Sequence, residues 1–334
     1  MKTFGLTNMI TKKFQTIAKD VISHEIVALR LLKSSIGKNF DKVVKTILNC
    51  KQGKVIVSGV GKSGIISKKW AATFSSTGTP SFFLDASNAS HGDMGQITSG
   101  DVVVLISLSG ESEELKNIVQ YTSRNKNIKL IGITSKKDSL LYKNSDVKLI
   151  IPSVKEAGPS NIIPTSSTTI QLALGDAIAI ACMKYKKLDK LDFKKYHPGG
   201  SLAIKLKTVG DLMLTGKKIP FVYENILMKD ALKVILNKKL GVLIVKNNKN
   251  ITSGILTDGD LKRLTQKHGN IYNLKIKSVM KKKPITVSKD LLAAQALSIM
   301  NGKKITSLCV HKDGNKNKTV GIIHIHNILR VNIS

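Results

Sequence analysis

The segment KVIVSGVGKSG, residues 54–64, runs from a strand pattern directly into a glycine-rich turn. The run KVIVSGV is mainly apolar and rich in β-branched side chains, which is typical of a buried strand. Gly59, Gly61 and Gly64 then allow a tight turn, and a helical pattern over residues 63–77 follows. A strand that passes through glycines into a helix predicts the first unit of an α/β domain, with a ligand-binding edge at the turn.

Strand and helix patterns continue to alternate after this segment. Further strands are predicted at residues 81–85, 101–109, 129–135 and 147–152, and helices at residues 111–125 and 166–186. Continuous apolar strands separated by helices form parallel sheets that are covered on both faces. The sequence therefore predicts an α/β domain with a doubly wound, parallel, five-stranded sheet. Upstream, apolar residues at helical spacing predict an amphipathic helix over residues 8–36.

An internal repeat begins after residue 200. VGDLM (209–213) recurs as IKSVM (276–280), and GILTDGDL (254–261) recurs as GIIHIHNI (321–328). The period of about 65–67 residues predicts two α+β modules that pack as a pseudo-twofold pair. The predicted division of the chain is 1–40 (helical segment), 41–190 (α/β domain), 191–206 (linker with His-Pro-Gly-Gly), 207–267 (first repeat) and 274–334 (second repeat).

The charge balance is strongly basic, with 54 Lys and Arg residues against 22 Asp and Glu residues and a formal charge of +32. Arginine, which makes bidentate phosphate and base contacts, contributes only four of these cations. Aromatic residues are 4% of the chain, too few for base stacking, and the lysines are spread along its length. We therefore expect no specific nucleic-acid partner, and we attribute the lysine excess to an AT-biased coding sequence.

Cysteine usage and apolar segments restrict the cellular setting. Cys50, Cys182 and Cys309 are far apart and form no CxxC pair, so neither a zinc site nor a disulfide framework is predicted. The first residues lack an apolar core of signal-peptide length, and the apolar stretch at residues 172–183 is too short to span a bilayer. We expect a cytoplasmic protein without a membrane partner.

The glycine-rich turn allows three interpretations. Walker A phosphate binding requires a glycine at the position of Ile56. A dinucleotide fingerprint is matched by the three glycines, with Asp85 at the end of the next strand. A sugar-phosphate pocket would use backbone N–H groups together with the hydroxyls of Ser58 and Ser63 at the helix start.

The third strand favours the sugar-phosphate interpretation. It ends in SLSGES (107–112), where Ser107, Ser109 and Ser112 surround a glycine at the start of a helix. One capping residue would explain one serine, but three hydroxyls and a glycine indicate a phosphate cradle. The run PTSSTT (164–169), which includes Thr168, adds another hydroxyl-rich helix start.

Six motifs in a fixed order resemble those of D-arabinose 5-phosphate isomerases: GVGKSG (59–64), STGTPSFFL (76–84), ASHGDMG (89–95), SLSGESEEL (107–115), PTSSTT (164–169) and HPGG (197–200). That family joins a sugar isomerase (SIS) domain to two cystathionine-β-synthase (CBS) modules, and the resemblance covers the chain from about residue 40. It implies reversible interconversion of D-ribulose 5-phosphate and D-arabinose 5-phosphate through an enediol, which supplies Kdo for lipopolysaccharide. It also implies that no metal or organic cofactor is required.

The resemblance implies a set of catalytic residues. Lys62 matches an active-site lysine that would stabilise the enediolate or the phosphate, and Glu114 matches an active-site glutamate. Glu156 matches a second glutamate, which we expect to transfer the proton between C1 and C2. His197 matches a catalytic histidine suited to ring opening.

The resemblance also implies ligand contacts. His91, Gly78 and Thr79 match substrate-contacting positions, and Thr257 and Asp260 match nucleotide contacts of the first CBS module.

Three departures from the family pattern concern ligand binding. Asp85, the one candidate metal ligand, stands where the family commonly has a histidine linked to inhibitory zinc, which argues against metal binding. The segment AGPSNII (157–163) replaces a loop near the expected site. His324 replaces the hydroxyl residue of the second CBS module, which argues against ribose binding there.

We expect a homotetramer whose partner is a small sugar phosphate. Two alternatives stay open at the level of sequence: a non-catalytic SIS/CBS regulator that senses a sugar phosphate, and a paralogous isomerase of sugar-alcohol metabolism. The presence of all four catalytic candidates favours an enzyme, because a sensor needs only the serines.

Overall fold

The structure is a computed structural model that describes the backbone of residues 2–333 and the side chains of residues 13–189, 191–199 and 203–333. The chain divides into two compact units, residues 1–196 and 197–334. Each unit is organised around hydrophobic clusters of its own.

The first unit begins with two helices and continues as alternating strands and helices. The helices are α1 (Lys2–Ser35), α2 (Lys38–Asn49), α3 (Gly61–Ser76), α4 (Ala86–Ala89), α5 (Glu113–Arg124), α6 (Leu140–Asn144), α7 (Ser166–Tyr185) and α8 (Lys190–Tyr196). The strands are β1 (Val55–Gly59), β2 (Ser81–Phe83), β3 (Val102–Ile106), β4 (Lys129–Thr134) and β5 (Val147–Ile150). The predicted five-stranded α/β architecture is confirmed.

The five strands form one parallel sheet in the order β2-β1-β3-β4-β5. Every residue of β1 and β3 is buried, which explains why both strands are continuous apolar runs rather than alternating patterns. A core cluster lies on each face of the sheet, with Val55 and Val57 in one and Ile56 in the other. The winding direction reverses between β1 and β3, and crevices at such points bind ligands in α/β sheets.

Helix α7 is a core helix of the first unit. By length and composition alone it could cross a membrane, but 50% of its apolar window is buried inside the protein. Trp70 of α3 donates from Nε1 to the carbonyl oxygen of Gln171 at 2.9 Å, and Lys69 forms an ion pair with Asp176. These contacts hold α3 and α7 side by side, with the starts of both helices at the carboxyl edge of the sheet.

The N-terminal region contains the helix predicted over residues 8–36 and a second helix after it. α1 ends at Ser35, Gly37 is extended with φ −154°, and α2 starts at Lys38. Val43 and Ile47 of α2 are buried in the same cluster as the sheet residues. The second helix was not predicted, and it belongs to the core of the unit.

The second unit contains the two repeats. They are preceded by α9 (Gly200–Lys205). The first repeat has α10 (Val209–Leu212), β6 (Leu214–Thr215), β7 (Phe221–Tyr223), α11 (Met228–Lys238), β8 (Val242–Lys246), β9 (Thr252–Thr257) and α12 (Asp258–His268). The second has α13 (Ile276–Val279), β10 (Lys281–Lys282), β11 (Thr286–Val287), α14 (Ala293–Lys303), β12 (Ser307–Lys312), β13 (Asn315–His324) and α15 (Ile325–Leu329). Helices α8 and α9 occupy most of the segment predicted as a linker.

The two repeats exchange their first strands. One sheet has the order β10-β9-β8-β7 and the other has the order β11-β12-β13-β6. Thr215 of β6 therefore pairs with Gly321 of the second repeat, and Lys282 of β10 pairs with Gly254 of the first. Ile244 and Cys309, one from each sheet, lie in a common hydrophobic cluster. The repeats are thus a single packed pair.

Candidate active site

Two turns rich in glycine and serine leave the carboxyl edge of the sheet side by side. β1 and β3 are neighbours, with Ser58 opposite Leu105 and Gly59 opposite Ile106. The turn after β1 and the turn after β3 therefore flank the point where the winding direction reverses. The structure brings together two hydroxyl-bearing motifs that are far apart in the sequence.

The turn after β3 is organised by its own serines. Ser107 Oγ lies 3.0 Å from Ser112 Oγ and accepts a hydrogen bond from the Gly110 N–H at 3.0 Å. Ser109 Oγ accepts from the Glu111 N–H at 3.3 Å. Gly110 has φ +70°, and a Cβ there would lie 2.3 Å from a neighbouring side-chain oxygen, so this position requires glycine. Three hydroxyls are thereby fixed at the start of α5.

The turn after β1 contains a hydroxyl without a partner. Ser58 is fully buried, and its Oγ has no hydrogen-bond partner within the described part of the chain. Ser63 is half-buried in the first turn of α3, next to the exposed Lys62. Glu114 is exposed in the first turn of α5. Both charged side chains are therefore accessible at the starts of helices on one edge of the sheet.

Glu156 is held at the start of α7. It lies in the loop after β5 and is 6% exposed. Its Oε2 accepts hydrogen bonds from Thr165 N at 2.7 Å, Thr165 Oγ1 at 3.0 Å and Ser167 N at 3.2 Å. Its own N–H donates to Asn161 Oδ1. The carboxylate is therefore bound by groups at the N-terminus of a long helix, where negative charge is stabilised.

Two opposing effects act on the pKa of Glu156. Burial favours the neutral acid and raises the pKa, but hydrogen bonds from Ser167 and Thr165 outweigh burial and leave the pKa lowered. Glu156 is therefore a carboxylate at neutral pH. It can accept a proton, although these hydrogen bonds make it a weaker base than a free glutamate.

Thr168 and His91 also lie at the carboxyl edge. Thr168 Oγ1 donates to the Thr165 carbonyl oxygen at 2.8 Å, so its hydroxyl serves the first turn of α7. His91 is exposed just after α4, which follows β2. A cavity of about 200 Å³ lies between the ends of β1 and β2, and Gly61 and Asp85 are among its lining residues.

Asp85 has a structural role. Its Oδ1 accepts hydrogen bonds from the N–H groups of Ser87 at 2.9 Å and Asn88 at 3.1 Å, and it thereby caps α4. No group of three or more His, Cys, Asp or Glu side chains that could hold a metal ion occurs among the residues with described positions. Helix capping accounts for the aspartate at this position.

Gly78 and Thr79 lie at the opposite edge of the sheet. They precede β2, whose carboxyl end leads to Asp85. Lys186 donates from Nζ to the Gly78 carbonyl oxygen and to Thr79 Oγ1, both at 2.9 Å, and burial lowers the pKa of this lysine. A single chain therefore does not bring Gly78 and Thr79 together with the serine turns. Sequence reasoning missed Lys186, which follows α7 without any motif.

His197 is the first residue of the second unit and lies between α8 and α9. It is half-buried.

Thr257 and Asp260 form a capping box at the start of α12. Thr257 Oγ1 donates to Asp260 Oδ2 at 2.7 Å, and Asp260 N donates back to Thr257 Oγ1 at 3.3 Å. Asp260 Oδ1 pairs with Arg263 at 2.5 Å and Lys281 at 2.8 Å. Burial acts against ionisation of Asp260, but these partners hold its pKa far below the usual range. Both motif residues line a cleft of about 830 Å³ in the second unit.

The fold and the serine turns define a class of protein in which a sugar isomerase domain precedes a CBS pair. The chain matches the SIS domain family over residues 47–181. It matches the CBS domain family twice, over residues 209–267 and 276–334.

The similarity to relatives extends over nearly the whole chain. The arabinose 5-phosphate isomerase KdsD of Shigella flexneri is 41% identical over 321 residues, which cover 96% of each chain. Its namesake from Yersinia pestis is 40% identical over 334 residues, which cover 100% of each chain. A solved structure from E. coli CFT073 in complex with arabinose 5-phosphate has a TM-score of 0.54 and 39% identity, and it covers 56% of this chain and 98% of its own. The chain belongs to the arabinose 5-phosphate isomerase family, as its motifs predict.

Proposed function

We propose that this chain interconverts D-ribulose 5-phosphate and D-arabinose 5-phosphate as an aldose–ketose isomerase. Family membership over the full chain supports this substrate pair. The structural observation that carries the chemistry is the carboxyl edge of the sheet, with its two serine turns and the ionised Glu156. Hydroxyls and helix-start amides suit the 5-phosphate, and the carboxylate suits proton transfer.

The proposed reaction passes through a 1,2-enediol. Glu156 takes a proton from C1 of ribulose 5-phosphate, negative charge develops on the C2 oxygen, and a proton is returned to C2 to give the aldose. Lys62 stabilises the charged oxygen, and Glu114 transfers protons between the two oxygens. His197 opens the ring form of the aldose.

We further propose that a second copy of the chain completes the site. Gly78 and Thr79 match substrate-contacting positions of the family, yet they lie at the amino edge, away from the serine turns. A second copy could place its amino edge against the carboxyl edge of the first, so that both sets contact one sugar. The homotetramer expected from the sequence offers such a neighbour. The product would supply Kdo synthesis in the cytoplasm.

One experiment tests the reaction and the base together. The purified full-length protein is mixed with ribulose 5-phosphate in deuterium oxide that contains EDTA, and arabinose 5-phosphate is followed by NMR. We expect product that carries deuterium at C2, and activity that is lost in Glu156→Gln. Absence of product from the unmodified protein would show that the isomerase proposal is wrong.

The same experiment separates an enzyme from a regulator that senses a sugar phosphate. A regulator would bind the sugar phosphate, as seen by line broadening of the ligand signals, but would form no arabinose 5-phosphate. An isomerase would do both, and Glu156→Gln would retain binding while it loses turnover.

A further inference from the structure

The serine turn after β3, residues 107–112, is contacted along its length by the loop that follows β4. We call residues 134–141, which run from the end of β4 into α6, the brace loop. β3 and β4 are parallel neighbours, with Ile106 opposite Ile133. The serine turn and the brace loop therefore leave the same edge of the sheet side by side.

The carbonyl oxygen of Leu108 accepts three hydrogen bonds from the brace loop. The donors are Thr134 Oγ1 at 3.1 Å, Ser135 N at 3.1 Å and Ser135 Oγ at 2.8 Å. A carbonyl oxygen has two lone pairs, so these donors fill its capacity to accept. Leu108 separates Ser107 from Ser109, and the brace loop thereby fixes the backbone between these two hydroxyl-bearing residues.

Gly110 is enclosed by the same loop. A Cβ at Gly110 would lie 2.3 Å from Ser139 Oγ and 2.8 Å from Thr134 Oγ1, so the loop packs closely against the glycine. Leu141 N–H donates to the Gly110 carbonyl oxygen at 3.1 Å. Ser139 and Thr134 are both buried, and the contact is therefore part of the interior of the first unit. The brace loop thus holds the left-handed backbone of Gly110 in the middle of the serine turn.

The brace loop also binds the carboxylate of Glu111. Leu140 N–H donates to Glu111 Oε1 at 2.8 Å. Glu111 lies between Gly110 and Ser112, where an unattached carboxylate would be free to approach the phosphate and repel it. This hydrogen bond holds the negative charge at the start of α6. The brace loop therefore acts on the charge of the serine turn as well as on its shape.

The hydroxyl of Thr134 can be removed without a change of shape in the strand. Thr134 is the last residue of β4, and its Oγ1 accepts from the Lys136 N–H at 3.2 Å in addition to its donation to Leu108. Valine is β-branched like threonine and suits a buried strand. The pairing of β4 with its neighbours uses backbone groups, so the hydroxyl serves the loops rather than the sheet.

We propose that Thr134 is a positioning residue that holds the serine turn in the form that receives the 5-phosphate. This inference rests on the proposed function, in which the hydroxyls of the serine turn bind that phosphate. Thr134 contacts the backbone at Leu108 and Gly110, so it acts through the turn and not on the sugar phosphate itself. The phosphate is bound equally before and during proton transfer, so looser positioning weakens binding of substrate and transition state alike.

The test is steady-state kinetics of the full-length protein with ribulose 5-phosphate, with inorganic phosphate as a competitive inhibitor. In Thr134→Val we expect the KM for ribulose 5-phosphate and the Ki of inorganic phosphate to rise together by about three- to tenfold. We expect kcat to stay within about twofold, because only uniform binding is lost. Thr134→Ser keeps the hydroxyl and should return both constants toward those of the unmodified protein.

Thr122→Val is the matched control. Thr122 is also buried, and its Oγ1 donates to the carbonyl oxygens of Ile118 at 3.0 Å and Val119 at 2.9 Å, near the far end of α5. This variant loses the same kind of hydrogen bond away from the serine turn, so KM and Ki should be unchanged. Equal changes in Thr122→Val and Thr134→Val, or unchanged KM and Ki in Thr134→Val, would overturn the proposal.

Calorimetric titration with ribulose 5-phosphate separates this inference from the isomerase proposal. A lower affinity in Thr134→Val than in Thr122→Val supports the positioning role whether or not the protein forms arabinose 5-phosphate. Equal affinities of the two variants overturn the positioning role. Binding by the unmodified protein without formation of arabinose 5-phosphate overturns the isomerase proposal alone.

Discussion

A buried carboxylate lies at the start of a helix in each unit, and the two differ in what surrounds them. Glu156 and Asp260 are 6% and 5% exposed. Asp260 is paired with the cations Arg263 and Lys281, whereas Glu156 accepts hydrogen bonds from neutral groups of Thr165 and Ser167. No lysine or arginine with a described side chain forms an ion pair with Glu156. Both carboxylates lie at helix starts, but the charge of Asp260 is neutralised by ion pairs, whereas the charge of Glu156 is stabilised by neutral hydrogen-bond donors.

The contrast shows how environment assigns a role to a carboxylate. The charge of Asp260 is matched by two cations, so its ionised form is locked and its pKa is far below the usual range. Among the residues with described side chains, the neutral donors Thr165 and Ser167 stabilise the charge of Glu156 and lower its pKa despite burial. The second arrangement is the one that suits the proposed role of Glu156 in proton transfer.

The largest expected effect is on turnover in Glu156→Gln. The amide keeps an oxygen that can accept the helix-start hydrogen bonds, but it cannot accept a proton from C1. We expect kcat to fall by about 10²–10⁴-fold with little change in stability. Glu113→Gln, which alters an exposed glutamate paired with Lys116, is the matched control. Comparable activity of the two variants would remove Glu156 from the reaction.

The next effect concerns the stability of the second unit. Asp260→Ala removes both ion pairs and the capping box, so we expect a loss of about 2–4 kcal/mol in the free energy of unfolding. Asp230→Ala, which removes an exposed pair with Lys233, should cost less than about 1 kcal/mol. Denaturant unfolding of both variants measures the difference. Similar losses would show that the burial of Asp260 contributes nothing beyond a surface ion pair.

A smaller effect is expected on the pH dependence of stability, which should fall as the pH is lowered. Both carboxylates have lowered pKa values in the folded protein, so the unfolded chain binds more protons near pH 4. Their stabilisation is complete above the ordinary carboxyl pKa and is lost as the pH falls below it. We expect Asp260→Ala to flatten the decrease in melting temperature between about pH 5 and pH 3. A parallel decrease in the variant and the unmodified protein would contradict the pKa assignment.

The smallest expected effect comes from one hydrogen bond to Glu156. Thr165→Val removes the Oγ1 donor while it leaves the backbone N–H of Thr165 in place. The pKa of Glu156 should rise, so the acid limb of the activity profile should move to higher pH by about one unit or less. Thr165→Ser keeps the hydroxyl and is the control. An unshifted limb in Thr165→Val would show that this limb belongs to another group.

The pattern of apolar residues predicts the strands of the α/β sheet because it reflects which residues are buried. β1 and β3 are buried on both faces, so apolar β-branched runs mark them even in a single sequence. The repeat predicts two modules of similar fold because two copies of one pattern require similar packing, and the resemblance to the family implies that they are CBS modules. The sequence also places the serine turns at the carboxyl edge of the sheet. Each turn directly follows a predicted strand, and in a parallel sheet all strands end at that edge.

Features that depend on long-range contacts are not visible in the sequence. Nothing near Lys186 indicates that its amine reaches Gly78 and Thr79, and nothing around β6 indicates that it pairs with the second repeat. Helix α2, which follows Gly37, was not predicted from periodicity. Asp85 caps a four-residue helix that is too short for periodic analysis. For Lys186 and β6, the deciding contact lies outside the window in which a pattern can be detected.

The exchange of strands between the repeats sets an order of events during synthesis. β6 pairs with residues near Gly321, about one hundred positions later in the chain. At typical synthesis rates of about 5–20 residues per second, β6 therefore waits on the order of 5–20 s for its partner strand. Its backbone stays open to other chains for that interval. Strand β6 of the first CBS repeat is thus paired only when the residues around Gly321 have left the ribosome, and truncation before β13 would leave both repeats unfinished.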